Sequence, residues 1–319
     1  MSVVVFAEQW EGKFKKTTFE AVSYGRRVAD MLGVPTVAVV IGSLDEDAAQ
    51  LATYGANKVV HFNASSLNSF DSSAFASALK EVAVSEEAQT VILSGTSNGK
   101  SVVPSLAIQW GAAPITNVAA LPDSVGPMTV KRGAFSSKGF VTYTAHEQKT
   151  VLSFIPNAIG VAEFPGEAIV EEGSGASEAR VQVKGVDRAT GSVPLPEAEL
   201  VVSGGRGLKG PENWGMIEEL AELLGAGTAC SKPVSDMHWR PHSEHVGQTG
   251  IAINPNLYIA VGISGAIQHL AGVSNSKVIV VINSDAEAPF FKAADYGVVG
   301  DAFSVLPQLT EAVKRFKQG

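Results

Sequence analysis

Three stretches in the last part of this chain hold residues suited to gripping a phosphate-bearing ligand. Gly204-Gly205-Arg206-Gly207 follows an apolar run. Three glycines around one arginine suit a backbone that approaches an anion, with a guanidinium able to pair bidentately. A surface turn carrying a solvated arginine would read the same way. Val246-Gly247-Gln248-Thr249-Gly250 is polar and flanked by glycines. The third stretch is Val261-Gly262-Ile263-Ser264-Gly265-Ala266-Ile267-Gln268-His269. A strand that ends in small residues and runs straight into a helix exposes backbone N–H groups at the positive end of the helix dipole, which makes a pyrophosphate cradle. An ordinary tight strand-to-helix turn has the same letters, so the motif alone leaves both open.

Other clusters carry less. His238, Trp239, His242 and His245 crowd together and invite a zinc site. Only Asp236 and Glu244 lie nearby as carboxylates, and Pro241 interrupts any helix that would align ligands, so these read as loop histidines and no metal is expected. Asn98-Gly99-Lys100-Ser101 ends like a nucleotide loop, but Ser94 stands where its first glycine belongs; it reads as a helix start. No Gly-x-Ser-x-Gly elbow, paired carboxylates or Cys/His arrangement is visible, so no catalytic residue is assigned. Asp285, Asp295 and Asp301 sit in polar loops at strand ends, as surface groups or helix caps.

Several elements must hold these stretches in place. Apolar runs at 3–7, 35–41, 58–62 and 90–94 alternate with amphipathic stretches near 17–32, 45–54 and 72–84, and another follows Asn98. That alternation predicts parallel strands with crossover helices. Thr17 and Glu20 have capping-box spacing, with Thr17 as N-cap. Runs at 128–131, 140–144 and 150–154 read as a small antiparallel addition. Residues 163–198 are rich in Glu, Gly, Ser and Pro and include one further strand at 180–186. The predicted domains are 1–190 and 198–319, joined by that stretch acting as a hinge. The second restarts with a strand at 199–203 and a helix bearing Pro211 near its first turn. Strands at 257–263, 277–282 and 297–300 and a closing helix at 304–317 follow. The expected fold class is α/β: a doubly wound parallel-sheet domain, then a Rossmann-like domain.

Composition limits the partners. The chain has 319 residues, of which 45% are hydrophobic and 18% charged, with net charge −8. This is enough for packed cores, and an acidic surface argues against nucleic acid. A phosphate-bearing ligand must then be held by local cations and backbone amides. One cysteine, Cys230, cannot form an internal disulfide or a thiolate metal site alone, which fits a reducing compartment. No apolar run approaches the roughly 18–20 residues of a membrane span. With no targeting segment apparent at Met1-Ser2, the expected location is the cytoplasm.

The C-terminal third resembles the FAD-binding domain of the electron-transfer flavoprotein alpha subunit family. The matching segments are SGGRG at 203–207, SKP at 231–233, VGQTG at 246–250, LYIAVGISGAIQHLAG at 257–272, VIN at 281–283 and ADYGVVGD at 294–301. The N-terminal half resembles the family more loosely, at 3–8 and 95–114. The resemblance implies FAD as cofactor and an alpha–beta heterodimer. It also implies electrons arriving from flavoprotein dehydrogenases such as acyl-CoA dehydrogenases, in fatty acid β-oxidation, and leaving to a quinone oxidoreductase. An NADH-oxidising bifurcating complex and a flavin-free nucleotide-binding scaffold are the alternatives.

Residue roles carry over by position. Ser264, Gly265, Ala266, Ile267, Gln268 and His269 match the segment at the ribityl and pyrophosphate groups. Arg206 matches an arginine at the flavin–phosphate site. Thr249 matches a hydroxyl on flavin N5, flanked by Gln248 and Gly250, and His269 matches the imidazole at the N1–C2=O edge. Asn283 and Asp301 match groups on the adenosine half, and Ser231 belongs to the flavin loop. The family usually has Ser-Arg where this chain has Ser231-Lys232. Lysine keeps the charge beside the ring but lacks the planar face.

Overall fold

The computed structural model describes residues 1–135, 139–175, 181, 183–185 and 194–318. They fall into two compact units, one of Met1–Gly133 with Phe140–Asp187 and one of Ala134–Gly139 with Arg188–Gly319.

The first unit opens with β1 (Val3–Phe6), a short hairpin of β2 (Gln9–Trp10) and β3 (Lys13–Phe14), and α1 (Lys16–Leu32). Then come β4 (Thr36–Ile41), β5 (Lys58–Phe62), α2 (Ser72–Ser85), β6 (Thr90–Ser94), α3 (Ser97–Trp110) and β7 (Ala113–Val118). A 3-10 helix, Ala48–Tyr54, replaces the helix expected after β4. The unit ends with β8 (Ser124–Val125), β9 (Met128–Ala134), β10 (Gly139–Thr144), β11 (Thr150–Phe154) and β12 (Ile169–Glu172). The sheet order is β10-β9-β7-β11-β6-β1-β4-β5-β12, with β8 on β9. β1, β4, β6 and β11 are buried along their whole length, as strands covered on both faces must be. Alternate residues serve opposite faces. Val3 and Val5 pack with Val22 and Val28 of α1, while Val4 and Phe6 pack with Leu79 of α2 and Leu106 of α3.

The structure corrects three local expectations here. β11 is not part of the antiparallel addition: it pairs parallel with both β6 and β7, inside the main sheet. Glu20 does not close a capping box on Thr17. The helix starts at Lys16, and the Glu20 carboxylate, 2% exposed, accepts from the N–H groups of Asn157, Ile159 and Gly160 at 2.8, 3.0 and 2.8 Å. The stretch from 163 is not all linker, because β12 pairs parallel with β5 and Gly173 N donates to His61 O at 2.9 Å. The strand expected at 180–186 lies largely outside the described residues.

The second unit holds β13 (Leu200–Gly204), α4 (Gly215–Leu224), β14 (Gly227–Cys230), α5 (Lys232–Asp236) and β15 (Leu257–Val261). After these come α6 (Ile267–Val273), β16 (Val278–Asn283), β17 (Tyr296–Val299) and α7 (Ala302–Gln318). All strand pairs are parallel, in the order β14-β13-β15-β16-β17. Relative to the chain this is a 2-1-3-4-5 order, so successive connections run to opposite sides from β13 and β15. Apolar clusters on the two faces hold Tyr258, Val273 and Phe290 on one, and Trp214, Ile217, Leu220 and Leu306 on the other.

Candidate functional site

In an open parallel sheet, connections that leave two neighbouring strands in opposite directions open a crevice at their carboxyl ends. In the second unit those strands are β13 and β15, paired through Gly204 and Val261. A cavity of about 750 Å³ lies there, within the roughly 300–1,000 Å³ range of ligand pockets. It is lined by the segments that follow β13, β14, β15 and β16, together with the 245–249 turn.

The loop after β13 explains its glycines differently from the sequence reading. A Cβ on Gly205 would stand 2.2 Å from Gly262 O, and one on Gly207 would stand 2.6 Å from Gly262 Cα. Gly205 N and Gly207 N donate to Val261 O and Gly262 O at 2.9 and 3.0 Å. These glycines therefore let two strand-end loops touch backbone to backbone, rather than clearing room for an anion. Arg206, between them, lines the cavity and is exposed.

The turn after β15 bends through Gly265, at φ +79°. A Cβ there would lie 2.4 Å from Phe290 Cβ, and Phe290 N donates to Ser264 O at 3.1 Å. The turn is thus pinned on its inner side, while Ser264 and Ala266 line the cavity. No backbone acceptor among the described residues takes the N–H groups of Ser264, Gly265 and Ala266. The helix that follows spans only seven residues, so these free amides matter more here than its dipole.

His269 stands on α6, 7% exposed, with Nε2 2.7 Å from the hydroxyl of fully buried Tyr258. Its pKa is lowered to about 4, chiefly by burial and then by neighbouring His245, while the Val246 backbone opposes the shift. It is neutral at pH 7. When Tyr258 donates to Nε2, Nδ1 carries the proton, and Nδ1 is buried with no hydrogen bond of good geometry. Such an unmatched donor suits a ligand carbonyl edge.

The structure brings most of the expected site residues together. Arg206, Ser231, Lys232, Gln248, Thr249 and Ser264 line the cavity, as do Ala266, Gln268, His269 and Asn283. Asn283 is held in place, its amide donating to Ile263 O at 3.0 Å and its oxygen accepting from Asp285 N at 3.0 Å. Four lie off the lining. Gly265 faces Phe290, Ile267 is 60% exposed, and Gly250 packs on His245. Asp301 caps α7 through Phe303 N at 3.2 Å and pairs with Lys209 at 3.7 Å. Asp236, His245 and Asp285 also line the cavity and were not singled out as ligand residues from sequence. His245 resembled a loop histidine among others, and only its burial separates it from His238 and His242. Arg240 in that loop is committed to Glu244 at 2.6 Å and Glu218 at 2.8 Å and lies over the Trp214 ring. Among the described residues no group of three or more side chains is placed to hold a metal.

The residues fit a flavin dinucleotide. Exposed Arg206 and the unpartnered 264–266 amides suit a diphosphate, while exposed Lys232 and the buried imidazoles of His245 and His269 line the same cavity, which has room for a ring. Comparisons with known proteins agree. The family described as electron transfer flavoprotein domain matches residues 3–187, and the electron transfer flavoprotein FAD-binding domain matches 194–274. Electron transfer flavoprotein subunit alpha of Bacillus subtilis is 36% identical over 98% of this chain and 97% of its own length. The protein of that name from Thermoanaerobacterium thermosaccharolyticum is 35% identical, over 98% of each chain. Protein FixB of Clostridium saccharobutylicum is 32% identical over 98% of this chain and 96% of its own. This chain belongs to the electron-transfer flavoprotein alpha subunit family, and its cofactor is FAD.

Proposed function

We propose that the chain is the FAD-carrying subunit of an alpha–beta heterodimer. It accepts electrons from flavoprotein dehydrogenases, acyl-CoA dehydrogenases among them, and delivers them to a quinone oxidoreductase. The observation that carries this is the cavity at the ends of β13 and β15, where Arg206, Lys232, Thr249 and His269 meet. Bound FAD supplies the redox chemistry, and the protein tunes and exposes it.

In this account Arg206 and the 264–266 amides hold the diphosphate. Thr249 hydrogen-bonds N5, with Gln248 beside it. His269, neutral and braced by Tyr258, donates to the N1–C2=O edge, and Lys232 offsets charge there. Ser231 orients the Lys232 side, while Asn283 shapes the adenosine end by holding the Ile263 and Asp285 backbone. The first unit docks on the beta subunit in the cytoplasm, while the second moves between holding and delivering electrons.

Co-expression with the beta subunit tests the assembly. The expected product is a yellow heterodimer that releases FAD on denaturation. A stable homo-oligomer that ignores the beta subunit, or a folded colourless complex, overturns it.

A further inference from the structure

Tyr258 is fully buried on β15, with its hydroxyl 2.7 Å from His269 Nε2. Phe290 packs on both rings: its centroid lies 6.3 Å from that of Tyr258 and 5.7 Å, edge-on at 77°, from that of His269. Apolar contact thus holds the two polar groups facing each other. Ser203, on β13, is fully buried as well. In the register of β13 with β15, Val201 pairs with Tyr258 and Ser203 with Ala260, so Ser203 and Tyr258 share a face as diagonal neighbours. Val201, Ala229 and Ala260 join Tyr258 in one apolar cluster and offer the serine no polar side chain. Ser203 Oγ makes no hydrogen bond of good geometry, but the Tyr258 phenol is the group its hydroxyl acts on. A buried hydroxyl left alone is costly, which favours closing that last gap.

The phenol has one proton to give, and burial keeps it there by raising the pKa. Neutral His269 has one proton and two nitrogens. If Tyr258 donates to Nε2, the imidazole proton sits on Nδ1. If Tyr258 accepts from Nε2–H, Nδ1 carries a lone pair. Two neighbours select the first arrangement. The Ser203 hydroxyl supplies a donor to the phenol oxygen, which leaves the phenol proton for His269 and polarises it. The Val246 backbone favours a proton on the ring, and with Nε2 facing the phenol that proton belongs on Nδ1.

We propose that Ser203 and Tyr258 are positioning residues of the cofactor site, a buried hydroxyl chain from Ser203 through Tyr258 to His269 Nε2 that holds the imidazole in its Nδ1-protonated form. His269 lines the cavity, and the consequence for FAD rests on its meeting the N1–C2=O edge, as in the function proposed above. The chain then turns a fixed donor toward the atoms where reduction places negative charge, which favours the reduced flavin. Without the chain the ring shares both tautomers, and the form with a lone pair on Nδ1 repels that edge.

The test labels this chain's histidines with nitrogen-15 in the FAD-loaded heterodimer, reads the His269 tautomer by NMR and reads the flavin potential by spectroelectrochemistry. The parent should be protonated at Nδ1. Tyr258→Phe keeps the ring packing and removes the hydroxyl. The Nε2-protonated form should then appear, and the first one-electron equilibrium should move toward oxidised flavin by up to about tenfold, roughly 59 mV. Ser203→Ala should move both readouts in the same direction and by less. A parent protonated at Nε2 overturns the proposal, and so does either variant that keeps the parental tautomer. If Tyr258→Phe fails to assemble, the parent spectrum and Ser203→Ala decide on the same terms. A tautomer that changes while the potential stays parental upholds the hydroxyl chain and removes instead the placement of His269 at the N1–C2=O edge.

Discussion

Lys232 begins α5 with an exposed side chain that lines the cavity. A charge about 4 Å from a developing negative charge is worth roughly 4 kcal/mol at an effective dielectric of about 20, and exposure reduces that through solvent and salt screening. Lys232→Ala should lower the flavin's first reduction potential by roughly 60–120 mV, towards the smaller figure given that exposure. Lys232→Arg should change it less. Spectroelectrochemical titration of the three heterodimers checks this, and parental behaviour of the alanine variant would make Lys232 a solvated loop lysine. Thr249 sits exposed at the cavity, on the turn above His245. Thr249→Ala should keep FAD bound and shift its potentials by about 1 kcal/mol, roughly 40 mV per electron. Unchanged potentials would remove the N5 assignment. Thr249 stands out in the sequence through its glycine-flanked loop, whereas Lys232 is marked only by the family resemblance. His245 does not stand out, because burial and an unpaired nitrogen leave no trace in residue order.

Turns and caps decide whether these side chains meet. Gly265 holds a positive φ of +79° with Phe290 at its α-carbon. Gly265→Ala must strain the backbone and displace Phe290, at a cost of about 1–3 kcal/mol. The expected result is a lower urea midpoint together with weaker FAD retention. Retention equal to the parent would show that the 264–266 turn does not hold the cofactor. In the first unit, the three amides on buried Glu20 tie α1 to the chain beyond β11. Glu20→Gln should cost that unit about 2–4 kcal/mol, because the new amide group meets N–H donors with a donor of its own. Urea unfolding measures it, and a shift below about 0.5 kcal/mol would contradict the role. The Thr-x-x-Glu spacing pointed to a local cap here, but a carboxylate on a helix facing a neighbouring loop has a second choice, and tertiary structure took it. β11 was misjudged for a similar reason: its short apolar run suits an antiparallel edge or a parallel centre equally, and only pairing with β6 and β7 decides.

In both units, alternation of strand and helix made the parallel strands legible, while strand order was not, because a crossover can pass to either side. It is that order, β14-β13-β15-β16-β17, that locates the crevice. In a protein of net charge −8, Arg206 and Lys232 both line this cavity, beside Asp236 and Asp285, so local cations rather than net charge meet an anionic cofactor. In the proposed function the protein carries electrons it receives from other flavoproteins. The most direct measurement is the anaerobic visible spectrum of the purified heterodimer, recorded with an acyl-CoA dehydrogenase and its substrate and, separately, with NADH alone. The yellow absorbance is expected to bleach with the dehydrogenase present and to persist with NADH. Bleaching by NADH without any dehydrogenase would contradict the proposed function.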